Sequence, residues 1–227
     1  MTRNIEIENL HCLCCRPADN DRIAYVIYPM DMLSAWIETA ATRFDTAIVV
    51  ITGMDWQDAM SPWPAKGVPR GCPDFKGEAP EFLRLLSEKV IPRVEQELGF
   101  ASAPRRTLVG VSMSGLFALW QWMLCDTFND IASLSGSFWY DGFIDWIKGL
   151  SIPRKQGKAF FLLGDREAAS RVKAFEPVAR NTQEIISILN SHGIATEFRS
   201  VPGNHYDNPI PRLDTALAAL AGMEGDD

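Results

Sequence analysis

The stretch Arg105–Trp122, RRTLVGVSMSGLFALWQW, decides the fold. It runs from an apolar strand through Gly110-Val111-Ser112-Met113-Ser114-Gly115 straight into an apolar helix. The spacing is that of a G-x-S-x-G corner between strand and helix, with Ser114 where the last glycine would stand. At such a corner the central serine takes a strained backbone conformation that lifts its hydroxyl clear of the sheet. The tight turn crowds together the residues two before and two after it, so both must be small. Around Ser112 these are Gly110 and Ser114; around Ser114 they would be Ser112 and the far larger Leu116. Size selects Ser112 as the presented hydroxyl.

Strands and helices alternate on both sides of this corner. Strands are predicted at 3–9, 22–28, 46–52, 106–111, 130–135, 158–163 and 196–201, and helices at 31–43, 80–98, 113–125, 141–149, 176–191 and 209–222. In the 80–98 segment Phe82, Leu85, Leu86, Val90, Val94 and Leu98 recur at helical spacing, and Pro92 should bend it. The central strands are continuous apolar runs, which implies a mostly parallel sheet covered by helices on both faces. The helix at 113–125 is apolar all round and should be buried. A loop rich in Pro, Gly and Trp spans 53–79. No repeat or linker interrupts the pattern, so residues 1–227 read as one α/β domain with no room for a large cap.

Composition narrows the function. A net charge of -7 offers no basic stripe for nucleic acid. The N-terminal MTRNIEIENL is too polar for a signal peptide, and no run approaches a membrane span. A cytoplasmic location with no membrane partner is the expectation. Three of the five cysteines crowd into His11-Cys12-Leu13-Cys14-Cys15. This is not the paired spacing of a zinc site, and in a strand Cys14 and Cys15 would face opposite ways. Reduced, partly buried thiols are the favoured reading, with a redox-sensitive surface or a metal site as alternatives.

A serine nucleophile needs a general base, most often histidine. The chain has only His11, His192 and His205. His192 sits in the last turn of a helix before Gly193, where a cap explains it. His11 lies in the cysteine segment. His205, in the Val201–Asp207 loop beyond the last strand, lies where parallel sheets place their sites. The acid that orients it should fall between Ser112 and His205 in the chain. Phe160-Phe161-Leu162-Leu163-Gly164-Asp165-Arg166-Glu167 offers two carboxylates. Glu167, three residues past the strand-ending glycine, has room to turn back across the strand tops and is preferred; Asp165 is the alternative.

The segments VGVSMSGLFAL, LSGSFWY, LLGDRE and PGNHYD, in that order, resemble an α/β-hydrolase of the putative-esterase branch, the group of enterochelin-esterase-like and formylglutathione-hydrolase-like enzymes. The region from DWQDAMSPWPA to EKVIPRVE is similar to the segment that precedes the corner in such enzymes. Ser114 for glycine, and Val111 where many relatives carry His, depart from the pattern without removing a catalytic atom. The resemblance implies an α/β-hydrolase fold and a Ser-His-Asp/Glu triad acting on a small-molecule ester.

A tetrahedral intermediate also needs two oxyanion donors. The Met113 N–H follows the nucleophile; the second donor should come from Tyr28-Pro29-Met30-Asp31, and since proline has none, Met30 is preferred over Asp31. Trp56 and Trp63 of the long loop, with Trp139 beside Phe138 and Tyr140, are the expected pocket walls, whereas Trp36, Trp120 and Trp122 read as core. Lys66 and Arg70 in the same loop would favour an anionic substrate, although surface charges of this kind are usually just solvated. The chemistry calls for no cofactor and no metal. An esterase or thioesterase working through a Ser112 acyl-enzyme leads, ahead of an acyltransferase with the same triad and a non-catalytic binding protein of the same fold.

Overall fold

The architecture follows from how a parallel sheet buries both of its faces. In the computed structural model, residues 2–17, 20–29, 32–152, 155–169 and 172–222 are described. Eight strands form one sheet: β1 (Thr2–Ile7), β2 (Leu10–Cys15), β3 (Arg22–Ile27), β4 (Ala47–Thr52), β5 (Arg105–Val111), β6 (Asp130–Leu134), β7 (Lys158–Gly164) and β8 (Ala195–Val201). Their order is β1-β2-β4-β3-β5-β6-β7-β8. From β4 to β8 all pairs are parallel, and β1 and β2 add antiparallel strands at one edge. This is the mostly parallel sheet that the apolar runs predict.

Alternate residues of each strand enter alternate layers. Leu108, Ile131 and Phe161 join the helices α3 (Ala79–Leu85), α4 (Ile91–Glu97), α5 (Met113–Leu124), α6 (Phe143–Gly149) and α7 (Val178–Ser191) on one face. Val109, Ala132 and Phe160 pack against α1 (Ile37–Arg43) and α8 (Ile210–Ala221) on the other. Trp36, Trp120 and Trp122 are buried in these layers, as expected. Eleven of the twelve residues of α5 are buried, which is why that segment can be apolar all round.

Three elements differ from the sequence reading. The strand expected at 3–9 is half of a hairpin, turned at Glu8 with a φ of 57°, and the cysteine segment is its other half. α1 begins at Ile37, later than expected, after a turn in which the Trp36 and Ile37 N–H groups both donate to the Leu33 carbonyl. The segment at 80–98 carries a wide π-type turn at Leu86–Val90, directly before Pro92. Proline has no N–H and its ring crowds the carbonyl four residues back, so widening the turn is an alternative to a kink. The long loop also holds a short helix, α2 (Trp56–Ala59).

The cysteines are core residues of β2. Cys12 and Cys14 enter one layer and Cys15 the other, as strand alternation requires. Burial pushes the Cys12 thiol up to about 12, and burial raises Cys14 and Cys15 as well. Thiols held neutral and out of water are poor nucleophiles. In the folded protein, alkylation at pH 8 should therefore modify at most Cys72 and Cys125, with Cys12, Cys14 and Cys15 reacting only after denaturation. Mass mapping that finds Cys14 alkylated under native conditions would contradict this packing.

Candidate active site

Between β3 and β5 the chain reverses the direction in which it adds strands, and a crevice opens there at the strands' C-terminal ends. At the end of β5 the backbone turns through Ser112, whose φ of 58° and ψ of -119° fall outside the ordinary regions for a side-chain-bearing residue. The turn is held from three directions. A Cβ on Gly110 would stand 2.0 Å from the Ser114 carbonyl oxygen, so only glycine permits the approach. The Ser112 N–H donates to Leu134 of β6 at 2.9 Å, and Gly115 and Leu116 donate back to the Ser112 carbonyl at 3.0 and 3.1 Å. The Ser114 hydroxyl accepts from the Val111 N–H at 2.7 Å and lies 2.8 Å from the Ile27 carbonyl at the end of β3. Ser114 is thus more than a tolerated small residue, because it ties the corner to the neighbouring strand.

The loops leaving β5, β7 and β8 meet above the sheet. His205 Nε2 lies 3.0 Å from Ser112 Oγ, and His205 Nδ1 lies 3.1 Å from Glu167 Oε2. The other carboxylate oxygen, Oε1, accepts from the Gly164 N–H at 2.7 Å, the Ser135 hydroxyl at 2.6 Å and Arg212 Nη1 at 3.0 Å. Glu167 is 5% exposed, a burial that such a charge withstands only when fully partnered. Burial pushes its carboxyl up. The hydrogen bonds from His205, Ser135 and Gly164, with the pull of His205, outweigh burial and hold it below the usual range. Asp165 is exposed and accepts from the Gly203 N–H at 2.9 Å. It braces the loop that carries His205 without touching the imidazole.

Met113, Trp56 and Trp139 line a pocket of about 360 Å³ together with Ser112 and His205. Phe75, Phe175, Val178 and Tyr206 complete its apolar wall. Trp139 and Phe175 are in ring contact, with centroids 4.7 Å apart. Trp63 is elsewhere. Its Nε1 donates to the Asp141 carbonyl at 3.0 Å and its ring stacks on Phe143, so it fastens the long loop to the α6 region instead of walling the pocket. Lys66 is paired with Asp74 at 2.7 Å, outside this pocket. Met30 and Asp31, the two candidates for the second oxyanion donor, lie outside the described residues.

Comparison with known proteins gives the family and the fold. The model of the family described as "Putative esterase" matches residues 29–219. The chain belongs to that family. A siderophore hydrolase, EstA of Aspergillus nidulans, has a similar fold, with a TM-score of 0.76 and 19% identity over 99% of this chain and 95% of its own. The enterobactin and salmochelin hydrolase IroE is similar at a TM-score of 0.72 and 19% identity, over 98% of this chain and 94% of its own. An uncharacterized protein of Bacillus subtilis, YbbA, is 24% identical over 142 residues, which are 62% of this chain and 57% of that protein. The family resemblance read from the motifs, and the α/β-hydrolase fold it implies, are those observed. Among the described residues no helix is long and apolar enough to cross a membrane.

The other histidines lie away from the pocket. His192 Nδ1 reaches the Ile188 carbonyl at 2.9 Å at the end of α7, the capping position expected of it. His11 is exposed on β2 beside Glu6. Sequence reasoning gave no role to Ser135, Ser137 or Arg212. Arg212 was detectable in principle: it shares a helical face with Ala216 and Ala219, so a charge interrupts an apolar stripe. Buried Arg212 also donates to the Ser135 hydroxyl at 2.7 Å and to the Asn204 carbonyl at 2.7 Å, linking the acid to the histidine loop.

A carboxyl with a lowered pKa in the folded state binds fewer protons there than when unfolded. Its stabilisation is complete above the unfolded value, about 4.3 for Glu, and is lost as pH falls through the folded value. Urea midpoints of wild type and Glu167→Gln should therefore differ most near pH 6 and converge as pH drops below about 4. A gap that stays constant from pH 6 to pH 3 would contradict the lowered pKa.

Proposed function

We propose that this protein is a serine esterase in which Ser112 is the nucleophile, His205 the general base and Glu167 the acid that orients it. The observation that carries the reading is the continuous chain Ser112 Oγ–His205 Nε2–His205 Nδ1–Glu167 Oε2, with links of 3.0 and 3.1 Å, opening into a pocket. Membership of the family supports it. A carboxylate has no proton to give, so it fixes the hydrogen of the neutral ring on Nδ1 and leaves Nε2 free to accept. Ser112 Oγ attacks the ester carbonyl as its proton passes to Nε2. The proton is then delivered to the departing alcohol. Water, deprotonated by Nε2, attacks the acyl-enzyme, and Oγ leaves as the acid forms.

The intermediate's oxyanion needs donors already in place. The Met113 N–H has no partner four residues back in its helix and stands at the positive end of α5, so it is the first donor. The second belongs to the loop after β3, with Met30 the residue proposed. Losing one such donor typically costs about 2.7–4 kcal/mol. Trp56, Phe75, Trp139 and Phe175 make the pocket suited to an apolar or aromatic acyl or alcohol group.

Fluorophosphonate labelling and ester hydrolysis test the assignment. Ser112→Ala should lose both, and His205→Ala should lower turnover at least about 10³-fold. Glu167→Gln should lower turnover far more than Asp165→Asn; the reverse order would transfer the role of acid to Asp165. Product analysis with an added alcohol separates hydrolysis from acyl transfer. For the pocket, Trp139→Ala and Trp56→Ala should raise KM for aryl esters. Trp63→Ala should instead cost up to about 3 kcal/mol of stability with KM unchanged.

A further inference from the structure

The segment Leu134-Ser135-Gly136-Ser137 leaves β6 and folds under Ser112. The Ser112 N–H donates to Leu134, and the Ser137 N–H donates back to the Ser112 carbonyl at 3.0 Å, so the two residues are clamped backbone to backbone. Glycine at 136 permits this close approach, since a Cβ there would lie 2.3 Å from Ser133 Oγ and 2.8 Å from the Phe138 ring. In this arrangement the Ser137 hydroxyl sits 3.3 Å from Ser112 Oγ, and Ser137 is 1% exposed. Among the described residues, Ser137 Oγ has no other partner.

Proton counting gives that contact a direction. With Nδ1–H facing Glu167, Nε2 is an acceptor, so the single Ser112 proton points to His205. None remains for Ser137, whose own buried O–H must donate to Ser112 Oγ to be satisfied. We propose that Ser137 is a catalytic residue whose hydroxyl donates to Ser112 Oγ and stabilises the charge on that oxygen while its bond to the acyl carbon forms and breaks. The inference rests on Ser112 being the nucleophile.

Both half-reactions load this hydrogen bond. During attack, Oγ gives its proton to Nε2 as it bonds to carbon. During breakdown, the hydroxyl from water stays on the carbonyl carbon and the C–Oγ bond breaks. The electron pair goes to Oγ, and Nε2–H returns a proton to it. The second event retraces the first, so partial negative charge stands on Oγ in both transition states, and a donor at that atom is worth more there than against the resting hydroxyl.

Two measurements on Ser137→Ala read the two halves. Inactivation by a fluorophosphonate reports attack by Oγ, and turnover of a p-nitrophenyl ester includes its departure; each should fall roughly tenfold. Ser137→Thr, which keeps the hydroxyl, should restore both. Ser137→Cys, a weaker donor, carries the same test with a smaller loss should the alanine variant not fold. An unchanged rate in either measurement, or a loss in Ser137→Thr as large as in Ser137→Ala, overturns the proposal. Turnover that survives Ser112→Ala would instead overturn the assignment of the nucleophile.

Discussion

The contact between Gly110 and the Ser114 carbonyl sets how close α5 can start to the end of β5, and the geometry above the sheet depends on that closeness. With 2.0 Å between a would-be Cβ and the carbonyl oxygen, any other side chain at position 110 would push the helix away. The helix start holds Ser112 in its strained conformation, and α5 is held in turn by near-complete burial. Strain of this kind costs on the order of 1–3 kcal/mol and persists only where the surroundings over-determine it. Here they do: both Ser112 backbone groups are bonded, and the Ser114 hydroxyl joins the corner to β3. A glycine at 114 would leave the turn sterically intact but lose that join. The sequence departure from G-x-S-x-G therefore adds a strut between the corner and the strand whose loop is assigned the second oxyanion donor.

Above the corner the governing term is the buried charge of Glu167. A carboxylate this far from water is tolerated only when its oxygens are fully partnered. Glu167 obtains a backbone N–H from Gly164, a hydroxyl from Ser135, a guanidinium from Arg212 and the imidazole of His205. Three of these converge on Oε1, which leaves Oε2 for the histidine. Arg212 also grips the Asn204 carbonyl, so the group that neutralises the acid fixes the histidine loop as well. Asp165, one carbon shorter and straight off the strand, instead caps the Gly203 N–H. The two carboxylates of the LLGDRE motif divide the work by reach: one braces the loop and the other holds the ring.

What was legible in the sequence was whatever a local rule constrains. The size limit at the corner selects Ser112, strand ends and chain order select His205 and Glu167, the three side chains that the structure brings into one hydrogen-bonded chain, and apolar runs imply the parallel sheet. The misses have physical causes of two kinds. β2 carries no strand pattern of its own in the sequence: the cysteines expected there as reduced, partly buried thiols are all buried, and burial makes them ordinary apolar residues of an alternating strand. Trp63 was placed in the pocket because it shares a loop with Trp56. A loop folded on itself, here by Asp58 accepting from Lys76 and by the Tyr140 hydroxyl reaching the Trp63 carbonyl, sends neighbouring residues to different places. Ser135, Ser137 and Arg212 act across 25 to 77 residues of chain, and no spacing rule within a segment reports such contacts.

The same division shows in how the site is built. Ser112, Ser137, Glu167 and His205 all leave the ends of adjacent strands β5 to β8, which hydrogen bonds lock in register. The walls come mainly from the long 53–79 loop, which has its own internal bracing around Asp58 and Ser61, and from the turns before α7. The loop meets the segment after β6 through aromatic faces, Phe75 against Trp139 and Tyr140, and through hydrogen bonds of Trp63 with Asp141 and Tyr140. Ring contacts of this sort are weakly directional and tolerate exchange of one apolar side chain for another, whereas the hydrogen bonds of the four strand-end residues do not. Wall residues can therefore vary without moving Ser112 relative to His205. The side-chain hydrogen bonds of Ser112, Glu167 and His205 end on one another and on Ser135, Ser137, Gly164 and Arg212, and none of them ends on an aromatic residue of the wall.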